Sequence, residues 1–359
     1  MDHFPGWLEP EVREEYFAMT NTLKETYFVP PVPLAVAKHL RYFEEAGLEV
    51  DSKTTRSSNQ QREDLLSGER DVAVTAIDNL LIWNEGQDDF RLIAQVEQTT
   101  SLTIYARPGL QSIGDLAGTR FAVDAATNGF AIVARHLLAD AGVGDVDFVE
   151  IGGVRERLSA LLDGQANATL LGPPLDEMAE QAGLVKLLVA NDLLGEYPGQ
   201  GLVVRTSRIP ELRLLLRTYL SSLSRAVDWS NRATRETGIA ILRDAGFGGR
   251  SSETGWETRP SHLVPSGAGL QLLIQMRQGL DLLPASFRGI ESMCDPWILQ
   301  EVLRDEIDPG QQSVPAATSA MATQASAPDL SDEGKTDDRP LRDRHFSRWH
   351  VDLPRACYR

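Results

Sequence analysis

Patterns typical of β-strands and α-helices alternate along this chain from Thr22 to about Ala245, and the alternation runs twice. Short apolar runs such as Asp71–Thr75 and Ala168–Leu171 predict buried strands, and segments such as Ser58–Leu66 and Val154–Leu162 predict helices. Because a helix between two strands returns the second strand parallel to the first, the pattern predicts parallel sheets with helices on their faces. The 359 residues exceed one compact core, so we expect two α/β lobes.

Two segments lie outside this pattern. Residues 308–359 are predicted to be a disordered tail, because small, polar and proline-punctuated sequence cannot bury enough surface to offset its ordering entropy. Residues 1–21 are predicted to be an N-terminal extension. This extension lacks the basic start and apolar run of a signal peptide, so the chain as written is expected to be soluble and cytoplasmic, or periplasmic if the true start lies upstream.

Composition excludes several classes of function. The chain has 35 basic and 52 acidic side chains and a formal charge of −17, which disfavours binding to nucleic acid or to anionic membrane surfaces. No apolar run approaches the ~18 residues of a membrane-spanning helix, so we expect no membrane insertion. With two cysteines and six histidines in no metal-binding arrangement, the sequence predicts no metal and no cofactor.

The loops that follow the predicted strands are the expected place for a ligand. In parallel sheets these loops, with the free N–H groups of the helix starts, lie along one edge and favour anionic or strongly polar groups. Six loops qualify: Val29–Val32, Thr55–Asn59, Ala76–Asn79, Ala125–Gly129, Gly152–Val154 and Gly172–Pro174. The predicted ligand contacts are Thr75, Asp78, Asn79, Thr127, Asn128 and Gly129, with Arg56, Arg107 and Arg155 as charge partners. The alternative interpretation of Asn79, Thr127 and Asn128 is that they only cap helices.

Four segments resemble a known family when taken in order. They are PLAVAKHLRYFEEAGLEVD, LLSGERDVAVT, SIGDLAGTRFAV and LLDGQANATLLGPPLDEMAEQAGLVKLL. Together the chain resembles the periplasmic-binding-protein type II proteins of the group that binds aliphatic sulfonates, nitrate and thiamine precursors. The resemblance covers roughly Thr22 to Ala245. The sequence departs from the family in lacking an export signal, in carrying Asn167 where aspartate is frequent, and in its tail.

The resemblance implies a two-lobed α/β fold with two crossover connections, near Arg107 and Leu202, and C-terminal helices on the first lobe. It places the first lobe at residues 22–106 and 203–307 and the second at 107–202. It also implies a hinge-closing substrate-binding protein that takes a small sulfonate, carboxylate or pyrimidine-type molecule between the lobes and has an ABC permease as partner.

Enzymes on the same fold are the alternative that the resemblance leaves open. A desulfinase-like relative has a nucleophilic cysteine near the first loop, where this chain has Val29–Val32, and the thiamine-precursor synthases have a cysteine-rich motif that is absent here. Asp78 and Asp124 are carboxylates that could serve acid–base chemistry, such as decarboxylation of an aromatic acid, but a helix cap or a loop hydrogen bond is the favoured interpretation of both. No catalytic residue is predicted, and binding is favoured over a cytoplasmic enzyme or a ligand sensor.

Overall fold

The computed structural model describes residues 21–86, 89–127, 129–195 and 197–307, and the predicted tail, Asn128 and nearly all of the predicted N-terminal extension lie outside these ranges. Ten strands form two sheets in the described part. The first sheet contains β1 (Thr22–Tyr27), β2 (Glu49–Thr54), β3 (Val72–Ala76), β4 (Phe90–Gln95) and β10 (Gln200–Arg205). The second sheet contains β5 (Thr103–Ala106), β6 (Arg120–Val123), β7 (Asp147–Glu150), β8 (Ala168–Leu171) and β9 (Val185–Val189).

Helices connect and cover these strands. Around the first sheet lie α1 (Val32–His39), α2 (Tyr42–Glu45), α3 (Ser58–Ser67) and α4 (Asn79–Trp83), and around the second α5 (Phe130–Asp140), α6 (Val154–Leu162) and α7 (Leu175–Gln181). After β10 follow α8 (Ile209–Arg232), α9 (Arg235–Asp244), α10 (Gly249–Glu257), α11 (Gly267–Gly279) and α12 (Trp297–Ile307). No helix within the described ranges has the length and apolar character needed to cross a membrane.

The two sheets share one topology. Their strand orders are β2-β1-β3-β10-β4 and β7-β6-β8-β5-β9. Strand β1 runs parallel to β2 and β3, and β6 runs parallel to β7 and β8, whereas β10 and β5 are antiparallel to both of their neighbours. The chain therefore enters the second sheet through β5 and returns through β10, which confirms the predicted two-lobed α/β fold.

The expectation of purely parallel sheets was wrong for the two crossover strands. The segment from β4 to β5, and the segment from β9 to β10, contain no α-helix within the described residues that would bring the next strand back parallel. A strand that crosses directly from one lobe to the other enters the new sheet from its ligand-facing edge, so it runs against the neighbouring strands.

The longest helix anchors the first lobe. Helix α8 packs against α1, α2 and α12 and buries Leu216, Tyr219 and Leu220 completely. Helix α8 ends at Arg232. A new helix starts after Thr234, whose side chain accepts a hydrogen bond from the Thr237 N–H at 3.3 Å. The break lets α9 fold back onto α1.

The C-terminal helices join the two lobes as well as covering the first. Helix α11 packs on α5 of the second lobe, and its Leu270 and Leu273 share one buried apolar cluster with Ile132 and Val133. Helix α10 contacts α7, also in the second lobe. The lobes are thus held close together, and the space between the two sheets is narrow.

Candidate ligand-binding site

A cavity of about 90 Å³ lies between the sheets, several times the space that one buried water requires. Residues from both lobes line it, and most of its walls are apolar. The lining residues are Phe28, Val29, Pro30, Pro31, Val32, Ala76, Asn79, Val96, Glu97, Thr100, Ser101, Leu102, Asp124, Gly129, Phe130, Val154, Arg157, Leu170, Gly172, Pro173, Gln200, Phe247, Gly255, Thr258, Arg259 and Pro260.

The cavity lies where the topology brings the strand ends together. Five of the six loops singled out in the sequence contribute to its wall, and the exception is Thr55–Asn59. The crossover segments contribute as well, through Ser101 and Leu102 before β5 and Gln200 at the start of β10. Carboxyl ends of parallel strands are where open α/β sheets bind ligands, so the position of this cavity follows from the order of the strands.

Polar contacts join the two lobes, and one of them involves Asp124 of the cavity wall. Ser58 at the start of α3 donates from its N–H and Oγ to Asp124 Oδ2, at 3.2 and 2.6 Å, across the lobe boundary. Arg250 of α10 pairs with Glu180 of α7 at 2.7 Å, and the Tyr105 hydroxyl donates to the same carboxylate at 2.8 Å. These contacts hold the two walls of the cavity together.

Two arginines bring positive charge to the wall. Arg157, in the first half of α6, is 4% exposed, and burial lowers the pKa of its guanidinium. The Arg259 guanidinium lies over the Trp256 ring at 4.1 Å, and its Nη1 donates to the Trp256 carbonyl at 2.5 Å. A guanidinium in the wall of a cavity is suited to bind an anionic group with directed N–H donors.

Glu97 is the carboxylate whose environment in the wall changes its ionisation. Its Oε2 accepts hydrogen bonds from Thr100 Oγ1 at 2.6 Å and from the Gln200 N–H at 3.1 Å. Burial nevertheless raises the pKa of this carboxyl above its ordinary 4.5, because desolvation outweighs these hydrogen bonds.

This raised pKa predicts a pH-dependent difference in stability between the wild type and Glu97→Gln. A carboxyl whose folded pKa is raised contributes stability that is full below the unfolded pKa of about 4.5 and is lost as the pH rises through the folded pKa. We therefore expect Glu97→Gln, which keeps an acceptor oxygen for Thr100, to gain stability relative to the wild type as the pH rises from about 4.5 through neutral pH. Urea unfolding of both proteins across this range measures it, and a pH-independent difference would contradict it.

Three of the predicted ligand contacts lie together at the cavity. Asn79 and Gly129 line it, and the buried Thr75 Oγ1 accepts a hydrogen bond from Asn79 Nδ2 at 2.8 Å. Gly129 has φ of +60°, and a Cβ there would lie 2.9 Å from Asn79 Oδ1. The backbone of the second lobe thus approaches the first lobe so closely that a side chain at this position would displace Asn79.

Asp78 and Thr127 instead take part in a buried ion pair next to the site. Arg277 of α11 donates from Nε to Asp78 Oδ1 at 2.7 Å and from Nη2 to Asp78 Oδ2 at 2.5 Å. The same Nη2 donates to the Thr127 carbonyl at 3.0 Å, so the pair ties α11 to the loop after β6. Asp78 and Thr127 do not line the cavity, and the predicted contact Asn128 lies outside the described residues.

The structure does not place the three predicted charge partners on the cavity wall. Arg56 is exposed and lies 3.5 Å from Glu156, and Arg155 is exposed on α6. Arg107 follows β5 at the far edge of the second sheet, where its N–H donates to the Asn167 carbonyl at 2.9 Å. The Arg107 side chain is half-buried, and its guanidinium lies next to Gly164.

Arg157 was missed by sequence analysis although a signal was available. It lies three residues after Val154 and four before Leu161, on the inward face of α6, whereas Arg155 lies on the outward face. A charged residue on the apolar face of a short helix next to a predicted ligand loop is the pattern to look for. Arg277, which lies far from the predicted loops in sequence, had no comparable signal.

Neither Cys294 nor His136 lines the cavity. Cys294 is half-buried, and its backbone pairs with that of Leu92 in β4 as an isolated β-bridge. Cys357 lies outside the described residues. His136 lies on α5, where its Nε2 is 3.5 Å from Asp140. Within the described ranges, histidine, cysteine, aspartate and glutamate side chains form no group of three or more that could hold a metal ion.

Comparison with solved structures shows the fold of this chain. It is similar to the alkanesulfonate-binding protein SsuA from Xanthomonas axonopodis pv. citri bound to MOPS, at 19% identity and a TM-score of 0.61, over 74% of this chain and 94% of that one. It is also similar to the periplasmic nitrate-binding protein NrtA from Synechocystis PCC 6803, at 13% identity and a TM-score of 0.64, over 83% and 92%. A Candida albicans protein with the generic periplasmic binding protein fold matches at 12% identity and a TM-score of 0.60, over 79% and 94%.

Comparison with protein sequences identifies the family. No curated protein matches the chain in sequence. The family described as NMT1/THI5 like, in contrast, matches residues 31–233, which is more than half of the chain and runs from the first loop of the cavity to the end of α8. The resemblance found in the sequence is thereby confirmed, and the chain belongs to the NMT1/THI5-like family.

Proposed function

We propose that this protein binds one small polar or anionic organic molecule in the cavity between its lobes, as a substrate-binding protein of the ABC-transporter type. The observation that carries this proposal is a cavity whose wall is shared by both lobes and by both crossover segments. A ligand in such a position contacts both lobes at once, so it stabilises the closed arrangement over any open one.

The predicted lobes are residues 22–106 with 203–307, and residues 107–202. Because β5 (Thr103–Ala106) belongs to the second sheet and β10 begins at Gln200 in the first, we propose that the lobe boundaries lie just before Thr103 and just before Gln200 instead. Asn79 and Gly129 lie on the cavity wall, with Thr75 behind Asn79, and we propose that this group orients the ligand through backbone and amide hydrogen bonds. The sulfonate- and nitrate-binding proteins of similar fold support a ligand of this kind and a location in the periplasm. A ligand-binding component of an ABC-type import system, also of similar fold, supports an ABC permease as partner.

A ligand panel tests the proposal. We expect at least one sulfonate, carboxylate or pyrimidine to raise the thermal unfolding temperature of the wild type, since a ligand at a hundredfold excess over Kd adds about 2.7 kcal/mol to stability. Calorimetric titration of each compound that shifts the unfolding temperature then gives its Kd.

Filling the cavity provides the matched control. A Cβ on Gly255 of α10 would lie 3.5 Å from Phe247 and 3.6 Å from Val32, at ordinary contact distances, so Gly255→Ala should bind as the wild type does. Gly255→Leu adds a branched side chain at the cavity wall and should fold but lose binding. Equal ligand affinity in Gly255→Leu and Gly255→Ala would show that the ligand binds elsewhere.

A further inference from the structure

The Arg157 guanidinium carries a buried charge that forms no ion pair with the described part of the protein. The side chain is more than nine-tenths buried and lines the cavity. Its Nε atom has no hydrogen-bond partner, and among the described residues no ion pair involves this arginine. A buried charge without a partner is unfavourable, and an arginine in the wall of a cavity can be neutralised by a bound anion.

The carboxylates nearest to Arg157 are already engaged. Asp124 and Glu156 both attract the guanidinium electrostatically. Asp124 Oδ2, however, accepts two hydrogen bonds from Ser58 across the lobe boundary, and Glu156 lies 3.5 Å from the exposed Arg56. Neither forms an ion pair with Arg157, so its N–H donors stay available to a ligand.

The other charges of the wall define the charge of that ligand. Arg259 is a second cation on the same cavity, held over Trp256 rather than in an ion pair with any described residue. Two guanidinium groups disfavour a cationic pyrimidine. The carboxylates of Glu97 and Asp124 also line the cavity, and they disfavour a ligand with more than one negative charge.

The remaining wall defines the body of the ligand. Phe28, Pro30, Pro31, Leu102, Phe130 and Phe247 present rings and aliphatic carbons to the cavity. A small inorganic oxyanion would leave this surface in contact with water, whereas an aromatic or branched aliphatic group would cover it. Building on the binding function proposed above, we infer that the ligand is an organic monoanion with an apolar body, whose carboxylate or sulfonate group is bound by Arg157.

Pairs of probes that differ only in charge test this inference. Benzenesulfonate with benzenesulfonamide, benzoate with benzamide, and 1-butanesulfonate with its sulfonamide have nearly the same shape, and sodium sulfate represents an inorganic anion. Calorimetric titration should show that the wild type binds at least one of the organic anions about tenfold or more tightly than its neutral partner and than sulfate. Such a ratio is expected from a hydrogen bond to a charged group.

Substitution of two arginines on the same helix tests the role of Arg157. Arg157→Gln should lower the affinity for the organic anion by about tenfold to a hundredfold and remove the preference over the neutral partner. Arg155→Gln, exposed on α6, is the matched control and should bind as the wild type does. Without ligand, Arg157→Gln should unfold at the same or a higher temperature than the wild type, because it removes a buried charge that has no partner. A purely structural role for Arg157 predicts the opposite shift.

The outcomes separate this inference from the proposed function. If neutral probes bind as tightly as the anions, or if Arg157→Gln keeps the anion affinity, the inference is wrong, while loss of binding in Gly255→Leu still supports a ligand in the cavity. If sulfate is the only probe that binds, the inference that the ligand has an apolar body is wrong. If no compound of the panel binds to the wild type, both the inference and the proposed function are overturned.

Discussion

Arg277→Met is expected to lower the free energy of unfolding by about 3–5 kcal/mol, as removal of one partner from a buried ion pair does. Both side chains of the Asp78–Arg277 pair have 0% exposure and are joined by two hydrogen bonds, at 2.7 and 2.5 Å. Methionine fills much of the space but leaves the Asp78 carboxylate buried without a cation. The Thr127 and Leu282 carbonyls also lose a donor, at 3.0 and 2.9 Å in the native structure. Urea unfolding followed by circular dichroism measures the loss.

Three further variants show that the loss comes from the uncompensated charge. Asp78→Asn should also be strongly destabilised, whereas Asp78→Leu combined with Arg277→Met should recover most of the stability because no charge is then left buried. Arg232→Met removes the exposed pair with Asp228 at 3.4 Å and should cost less than about 1 kcal/mol. An Arg277→Met protein within about 1 kcal/mol of the wild type would contradict this explanation.

The fold could largely be predicted because its local signals agree with its global order. Helix α3, for example, begins after Ser57, whose side chain accepts hydrogen bonds from two N–H groups, and ends at Gly68, where φ is +77°. Caps and glycines of this kind set the element boundaries, and the order of the elements then places the loops at one edge. The position of the cavity follows from that order, so five of the six loops could be found without a structure.

The interactions inside the site could not be predicted in the same way. Asp78 and Arg277 lie 199 residues apart, and no local pattern shows that an aspartate in a strand-to-helix loop pairs with an arginine of α11 rather than with a ligand. Strands β5 and β10 run antiparallel to their neighbours because the chain reaches each of them directly from the other lobe. Hydrophobic periodicity does not encode the direction of a strand. The spacing of apolar residues does show which face of a short helix points inward. On α6 it separates the buried Arg157 from the exposed Arg155.

Trp256→Ala is expected to cost about 3–5 kcal/mol of stability, the range for removing a buried aromatic side chain. Trp256 of α10 is 3% exposed and meets the Trp229 ring edge-on, with centroids 6.4 Å apart. Its other contacts connect it to the cavity, because the Arg259 guanidinium lies 4.1 Å from the ring centre. Trp256→Phe keeps an aromatic surface for Arg259 and should cost less. Urea unfolding of both variants measures the difference, and equal losses would show that the size of the ring does not matter.

Gly238 of α9 provides a second test, because the Trp256 indole fills the space that a side chain at residue 238 would occupy. An ideal Cβ on Gly238 would lie 2.3 Å from Trp256 Cζ3 and Cη2, so Gly238→Ala in the wild type should destabilise the protein by about 1–3 kcal/mol through overpacking. In the Trp256→Ala protein that collision is gone, and the same substitution should stabilise by up to about 1 kcal/mol, since alanine favours a helix over glycine. A double-mutant cycle therefore predicts that the effect of Gly238→Ala changes sign with residue 256. If Gly238→Ala destabilises both backgrounds equally, another neighbour of α9 must require the glycine, and the contact with Trp256 does not determine how α9 and α10 pack.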